Sequence, residues 1–475
     1  MKTNLKKYYT TKILLLLLPV ILFIIVRFIL GFNGLYGQDS HEYYRYSRAI
    51  LNYLKTGVSP GDYFWPVYYP ILGAISGLIL ADQFSLQLIS ILSLSGSLFF
   101  LLKILDKIYD EKNRIVTYLL ITFFLSPYVF RNSLVVMGDL LTVFLVTASF
   151  YFFIMYLNKF DSKNVILFSI FSVVAVLTRY AAFVILIIPA IIIFYNIIRK
   201  RNFSHLAVAV IIGIVLTIPH ILIRKLNSTD FLEHVWLQRW SVLNYFKSNF
   251  TTPDGIEHFR LPNILYSFSN IFYPTFLFFG VILVLFLRKN HFGNKFWLIA
   301  LLIIILNALF LAGIPYQNQR FLLLSYPLVV ILLFPGYEQF IRILINKRIF
   351  LYPVTFLMII IQIIFCIYFF RSAYQRNVLE KEVATFVKND NHKNIYAFDI
   401  DVSFMSYNVM KNVINMRNVK IDCFDHHSLV IFNEDKFKVQ WANMNPMLNW
   451  NNLKSNYTLS ELKNFGNGWK AYEIR

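Results

Sequence analysis

PVYYPILGAISGLIL, residues 66–80, is almost wholly apolar, but it has only 15 residues and holds Pro66 and Pro70. A membrane-spanning helix needs about 20 apolar residues. Whether this stretch crosses the membrane fixes the side on which everything after it lies. Outside it, apolar blocks predict eleven spans, at about 13–31, 84–105, 115–131, 140–157, 164–177, 181–198, 205–224, 263–287, 296–313, 320–337 and 350–370. With 66–80 left out of the count, the N-terminus (Lys2, Lys6, Lys7, Lys12) and the connections 106–114, 158–163, 199–204, 288–295 and 338–349 share one side. Together they carry eighteen Lys and Arg. Lys and Arg collect in cytoplasmic loops. Counting 66–80 as a span would send fourteen of the eighteen across. Length and charge therefore both predict a helix that lies at the interface or re-enters. The segments 32–83 and 225–262, and everything after 370, then face the outer side.

The composition agrees with a polytopic membrane protein. Of 475 residues, 57% are hydrophobic and 15% charged, against about 45–50% and 25% in soluble domains. Ile13–Leu30 carries only Arg27, and Phe296–Gly313 carries no charge. The net charge of +20 sits in short loops rather than on a soluble basic face, which argues against nucleic acid as a partner. Cys366 lies in an apolar run and Cys423 is the only other cysteine, so no disulfide framework is expected. The first apolar block lacks a small-residue cleavage site and reads as a retained span.

The expected architecture is a mainly α, polytopic bundle of about eleven transmembrane helices plus interfacial helices at 40–55 and 66–80, spanning residues 1–370. A small soluble α/β domain over 371–475 follows it. In that tail Asn394–Ile400, Val419–Phe424, Ser428–Phe432 and Trp469–Ile474 read as strands, and 376–389 and 402–414 as helices.

The residues with chemical promise sit where spans meet the outer side. Asp39 and Glu42 follow the first span, with Tyr43 beside them. Asp39 can cap a helix or act as a general base at a cavity mouth. Asp139 opens a later span, where a helix N-terminus favours an anion. Arg179 lies between two spans, and Arg320 follows Tyr316-Gln317-Asn318-Gln319. A guanidinium fork matches phosphate oxygens. The loop 225–262 holds Glu233, His234, Trp236, Arg239, Trp240 and Tyr245; aromatic residues stack on sugars but also belt interfaces. Asp254, Glu257 and His258 make a poor metal signature. Asp399-Ile400-Asp401 reads as turn chemistry. No phosphate-binding glycine loop, nucleophile elbow or Cys/His metal spacing occurs.

In order along the chain, Asp39 with Tyr43, the Pro-initiated helix 66–80, Ser126-Pro127, Asp139, Leu177-Thr178-Arg179-Tyr180 and Gln319-Arg320-Phe321-Leu322-Leu323-Leu324-Ser325-Tyr326-Pro327 form a pattern over roughly residues 13–340. The pattern resembles the GT-C superfamily of membrane glycosyltransferases, in its protein O-mannosyltransferase and aminoarabinose transferase branch. The resemblance implies that Asp39 contacts the acceptor or serves as base, that Asp139 helps shape the site, and that Arg320 holds the lipid phosphate. Arg179, Glu42, Tyr43 and Tyr316 are further substrate-binding candidates. Two departures stand out. Ser40, rather than Glu, follows Asp39, and Trp65 stands before Pro66 where many relatives have Lys. A phosphate contact is thereby missing, with Arg45, Arg179 or a loop residue left to substitute.

The expected function is inverting transfer of a hexose or pentose from a polyprenyl-phosphate carrier to a glycan, lipid or protein acceptor. Asp39 is the expected general base. No cofactor is expected to be required, and a divalent metal is compatible. The alternative is a lipid or solute transporter or flippase; such proteins usually show repeated halves and broken mid-membrane helices. The expected location is the cell (inner) membrane, with a cytoplasmic N-terminus and an extracytoplasmic tail.

Overall fold

The computed structural model describes residues 2–109, 114–226, 235–289, 293–346 and 348–475. Glu233 and His234 lie outside the described residues.

Helix α1 (Lys2–Ile24) runs into a π turn (Ile25–Ile29), and α2 (Gly37–Thr56), α3 (Tyr68–Ser76) and α4 (Asp82–Ile108) follow. A short α5 (Ile115–Leu119) passes through a π turn (Leu120–Phe124) and bends by 70° into α6 (Pro127–Leu134). Ser126 precedes Pro127 and is extended, at ψ 119°, because the proline ring disfavours the helical region for the residue before it. Next come α7 (Asp139–Lys159), α8 (Ser162–Val176), α9 (Ala182–Arg199) and α10 (Phe203–Leu226). A connecting segment holds α11 (Val235–Gln238) and a hairpin of β1 (Asn249–Thr252) and β2 (Gly255–His258). The chain returns through α12 (Asn263–Ser269), α13 (Gly280–Leu285), α14 (Lys295–Ala312), α15 (Gln319–Leu323) and α16 (Tyr326–Asn346). It then enters the 42-residue α17 (Arg348–Asn389).

Eight helices among the described residues are long and apolar enough to cross a membrane, and the chain is a multi-pass membrane protein. The other three expected spans are irregular. Residues 115–131 form the bent pair. Residues 164–177 form α8, which has 15 residues. Residues 263–287 are broken near Tyr273, held extended at ψ 154° ahead of Pro274. The stretch 66–80 yields only the nine-residue α3, about 13 Å at 1.5 Å per residue. It packs against α2 and α4 rather than crossing. Gly73 makes that approach possible, since a Cβ there would lie 2.3 Å from Leu86 Cδ2 and 2.6 Å from Ser47 Oγ.

The tail has its own core. Leu379, Val383 and Val387 of α17 pack on a sheet with strand order β4-β3-β5-β7-β6. These strands are β3 (Asn394–Ala397), β4 (Asn412–Asn415), β5 (Leu429–Phe432), β6 (Leu459–Gly466) and β7 (Trp469–Ile474). The first three are parallel, and β5, β7 and β6 are antiparallel. Between strands lie α18 (Val402–Ser406), α19 (Glu434–Phe437) and α20 (Asn445–Asn456). Two expectations fail here. The helix at 402–414 stops at Ser406, because Asn408 is left-handed (φ 58°), and residues 412–415 become β4. The segment Val419–Phe424 forms no strand. Side-chain amides of α20 take its backbone groups instead: Asn449 accepts from Ile421 N at 2.8 Å and donates to Val419 O at 2.9 Å. Because α17 is unbroken through residue 370, the place expected for the domain boundary lies inside one helix.

Candidate active site

Two loops bring the acidic residues to one place, and one buried side chain knits them together. Gln87 of α4 donates to Leu134 O (2.7 Å), ahead of Asp139, and to Phe32 O (3.3 Å), ahead of Asp39. Val136 N donates to Gly34 O at 2.8 Å. Gly34 has φ +84°, and a Cβ there would lie 3.0 Å from Gln87; glycine alone satisfies both demands.

Asp39 sits in the first turn of α2, and Asp139 opens α7. Neither sits at the N-cap of its helix, a position held by Tyr36 in α2 and Gly138 in α7. Both carboxylates face arginines instead. Arg320 donates through Nε and Nη2 to one oxygen of Asp139, at 3.2 and 3.1 Å, and through Nη1 to Asp39. Arg179 Nε pairs with the other Asp139 oxygen at 3.0 Å. Asp139 is fully buried, so its charge is tolerated only because two guanidinium groups flank it. The four residues form one chain of alternating charge: Arg179, Asp139, Arg320, Asp39.

The Tyr43 ring lies beside this chain, stacked on Trp65 at 5.1 Å and edge-on to Tyr69 at 5.1 Å. Its hydroxyl is buried without a hydrogen-bond partner among the described residues. Burial pushes the phenol up to about 12. Glu42 accepts two bonds from Arg45 (2.7 and 2.6 Å), and Arg45 also donates to Asp62 O. Tyr316 packs on Trp236 at 5.2 Å and on Phe259 at 5.8 Å; burial pushes it up to about 12 as well.

Asp39, Glu42, Arg179, Arg320 and Tyr316 all line a cavity of about 1590 Å³. Its lining is apolar at Phe64, Trp65, Phe183, Val184 and Leu311. The tail contributes to the same lining, with Asp399, Asp401, Lys436 and Trp441 among its residues. The hairpin meets the tail. Ile256 N donates to Gln440 O (2.7 Å), and Arg417 pairs with Asp254 (2.8 Å). Asp254, Glu257 and His258, weighed above as metal ligands, turn to Arg417, Gln440 and Asn249 respectively. No group of three or more His, Cys, Asp or Glu with metal-ligand placement occurs among the described residues.

No protein-family model matches this sequence, and no curated protein matches it. The structure is nevertheless similar to ArnT from Cupriavidus metallidurans, solved bound to undecaprenyl phosphate. The TM-score is 0.61 at 12% identity, over 95% of this chain and 97% of that one. The chain shares the fold of that protein. ArnT from the same organism in the apo state gives a TM-score of 0.57 at 11% identity, with the same coverage of both chains. The structural likeness therefore takes in the tail as well as the membrane bundle, whereas the sequence pattern stopped near residue 340.

Several residues placed in or around this cavity were not legible in the sequence. Arg224, at the end of α10, is buried and donates to Tyr63 O and Phe64 O, both at 3.0 Å. It braces the turn before Trp65-Pro66. Its one visible signal is the pair of cations Arg224-Lys225 in the last turn of an apolar helix. Gln38, Asp399 and Glu380 converge on the start of α2, and no spacing announces that. Asp399 is more than a turn residue: Arg376 at 3.1 Å and Lys436 also pair with it. Among the three candidates for the missing phosphate contact, Arg179 lies in the charge chain and Arg45 is committed to Glu42.

Proposed function

We propose that this protein transfers a sugar from a polyprenyl-phosphate carrier to an acceptor hydroxyl on the outer side of the cell membrane. The observation that carries the proposal is the meeting of Asp39 and Arg320 in a cavity lined by both apolar and charged side chains. The apolar side chains suit a prenyl chain, and the arginine pair suits its phosphate. Similarity to a protein solved with undecaprenyl phosphate supports the same donor class.

In this mechanism the donor phosphate takes the place of Asp39 on Arg320. The carboxylate oxygen is then free to accept the acceptor's proton. The acceptor oxygen bonds to the anomeric carbon as the bond from that carbon to the phosphate oxygen breaks. The electron pair leaves with the phosphate, so the products are the glycosylated acceptor and polyprenyl phosphate. Attack opposite the leaving group inverts the anomeric centre. Arg320, held by Asp139, stabilises charge gathering on the departing phosphate. Arg179 shares Asp139 and completes the basic side. Glu42 and Tyr316 line the cavity on the sugar and acceptor side, and Tyr43 is buried behind it. A hexose or a pentose fits these contacts, and the acceptor is a glycan, lipid or protein hydroxyl.

The test is transfer of label from undecaprenyl-phosphate sugars in membranes containing the full chain. Covalent labelling of an acceptor, lost in Asp39→Asn, supports transfer. Movement of the lipid across the bilayer with no covalent product would replace it with a flippase.

A further inference from the structure

We propose that Glu380, a carboxylate on the tail's helix α17, is a positioning residue that sets the first turn of α2 and thereby the aim of Asp39. The proposal rests on Asp39 being the base in the transfer proposed above.

The first N–H groups of a helix have no partner within it; Tyr36, the N-cap residue of α2, makes no side-chain cap bond, and Ser40 Oγ of α2 accepts from Tyr36 N rather than from Gly37 N. Glu380 fills that place from 343 positions away, accepting from Gly37 N at 3.1 Å. An anion at a helix N-terminus is also favoured by the helix dipole. The second Glu380 oxygen lies 3.0 Å from His41 Nε2, and the other ring nitrogen of His41 lies 2.9 Å from Ser406 Oγ. Asp39 stands midway between the two residues that Glu380 holds. Glu380 is wholly buried and His41 is 1% exposed. Neither touches the reacting centre, and neither is spent on the cavity's own charge chain.

The neighbours of Glu380 extend the grip. Arg376 donates to Glu380 at 2.7 Å and to Asp399 O at 3.2 Å. Asp399 in turn accepts from Gln38, the residue before Asp39, at 3.1 Å. Asn377 donates to Asn33 Oδ1 and Leu35 O (2.7 and 2.6 Å), and Lys381 donates to Gly31 O at 2.7 Å. Residues 376, 377, 380 and 381 share one helix face. That face holds the approach to Asp39 from residue 31 to residue 41. Folding alone does not need a carboxylate at this depth, because an apolar contact would join helix and loop at less desolvation cost. A charged acceptor bonded to two points flanking the base gives direction as well as attachment.

The test compares Asp39→Asn, Glu380→Gln and Glu380→Ala in the full chain. It follows label from undecaprenyl-phosphate mannose, or from its pentose counterpart if wild type uses that, and the thermal stabilisation given by undecaprenyl phosphate. Displacement of a reacting group by about 1 Å costs about 100-fold in rate. Glu380→Ala should therefore lower kcat about 10- to 100-fold while donor KM moves less than about threefold and undecaprenyl phosphate still stabilises the protein. Glu380→Gln, whose amide oxygen can still accept from Gly37 N, should recover part of kcat. Normal kcat in both Glu380 variants beside an inactive Asp39→Asn overturns the positioning role and leaves the transfer mechanism standing. Loss of kcat together with undecaprenyl phosphate binding marks a merely structural role and also overturns it; if Glu380→Ala fails to fold, Glu380→Gln decides alone. An active Asp39→Asn, or a wild type that transfers no sugar, removes both proposals.

Discussion

Arg320 binds one oxygen of Asp139 through two nitrogens, at 3.1 and 3.2 Å, and reaches Asp39 with its third. Asp39 is 31% exposed and Asp139 is fully buried. The two acids on this arginine therefore differ in kind. One is enclosed by protein and the other faces the cavity.

That difference predicts opposite phenotypes. Asp139→Asn leaves two arginines facing each other without their anion. Breaking one side of a buried ion pair costs about 3–5 kcal/mol. Asp139→Asn should melt well below wild type in detergent and lose activity with it. A wild-type melting temperature would show that the arginines find other partners.

Asp39→Asn should fold normally and bind undecaprenyl phosphate at least as tightly as wild type, since the amide competes less well for Arg320. Transfer should fall by about 100- to 10,000-fold, the usual contribution of a general base. Titration calorimetry with undecaprenyl phosphate and a labelled-sugar assay check the two halves separately.

Arg320→Lys keeps the charge but loses the fork that serves both carboxylates. Transfer should drop at least about tenfold and donor KM should rise, because a single ammonium cannot hold Asp139 and a phosphate together. Kinetics matching wild type would relieve Arg320 of the phosphate role.

Gly73→Ala tests the packing that seats α3. The added methyl would meet Leu86 Cδ2 at 2.3 Å and Ser47 Oγ at 2.6 Å. Overpacking of this kind costs about 1–3 kcal/mol. The readout is the melting temperature in detergent, which should fall while Gly57→Ala, where a Cβ meets nothing within 4 Å, suffers only its left-handed backbone strain.

Asp401 in the tail gives a pH signature. Burial pushes its carboxyl up to about 6 from an ordinary 3.8, against the help of Asn415. The folded tail thus prefers the protonated acid. That preference is fully present below about pH 4 and is lost as pH rises through 6. Amide exchange in Ile395–Ala397 should quicken as pH rises through this window by more than intrinsic exchange alone requires. In Asp401→Asn the extra acceleration should vanish.

The alternation of long apolar blocks with short basic loops was enough to establish a polytopic helical protein, because water and lipid sort residues by composition alone. The same logic excluded 66–80 as a span, and α3 is indeed too short to cross. Asp39, Asp139, Arg179 and Arg320 were visible as charges at the edges of apolar runs, where each needs a reason to be. Sequence could not say that the reason was one another. Asp39 and Arg320 are 281 positions apart, and only the packing of α2, α7 and α15 makes them neighbours. The tail was legible as α/β but not in detail: amide side chains of α20 replaced a ladder at Val419–Phe424, and a left-handed Asn408 cut a helix short. Glu380 lay in an ordinary-looking helical pattern, and its burial against Gly37 and His41 exists only in three dimensions. Local composition thus determined which segments enter the membrane, because transfer free energy is set residue by residue. Tertiary structure alone decided which charges pair and which face the cavity, because pairing depends on distances that chain order does not encode.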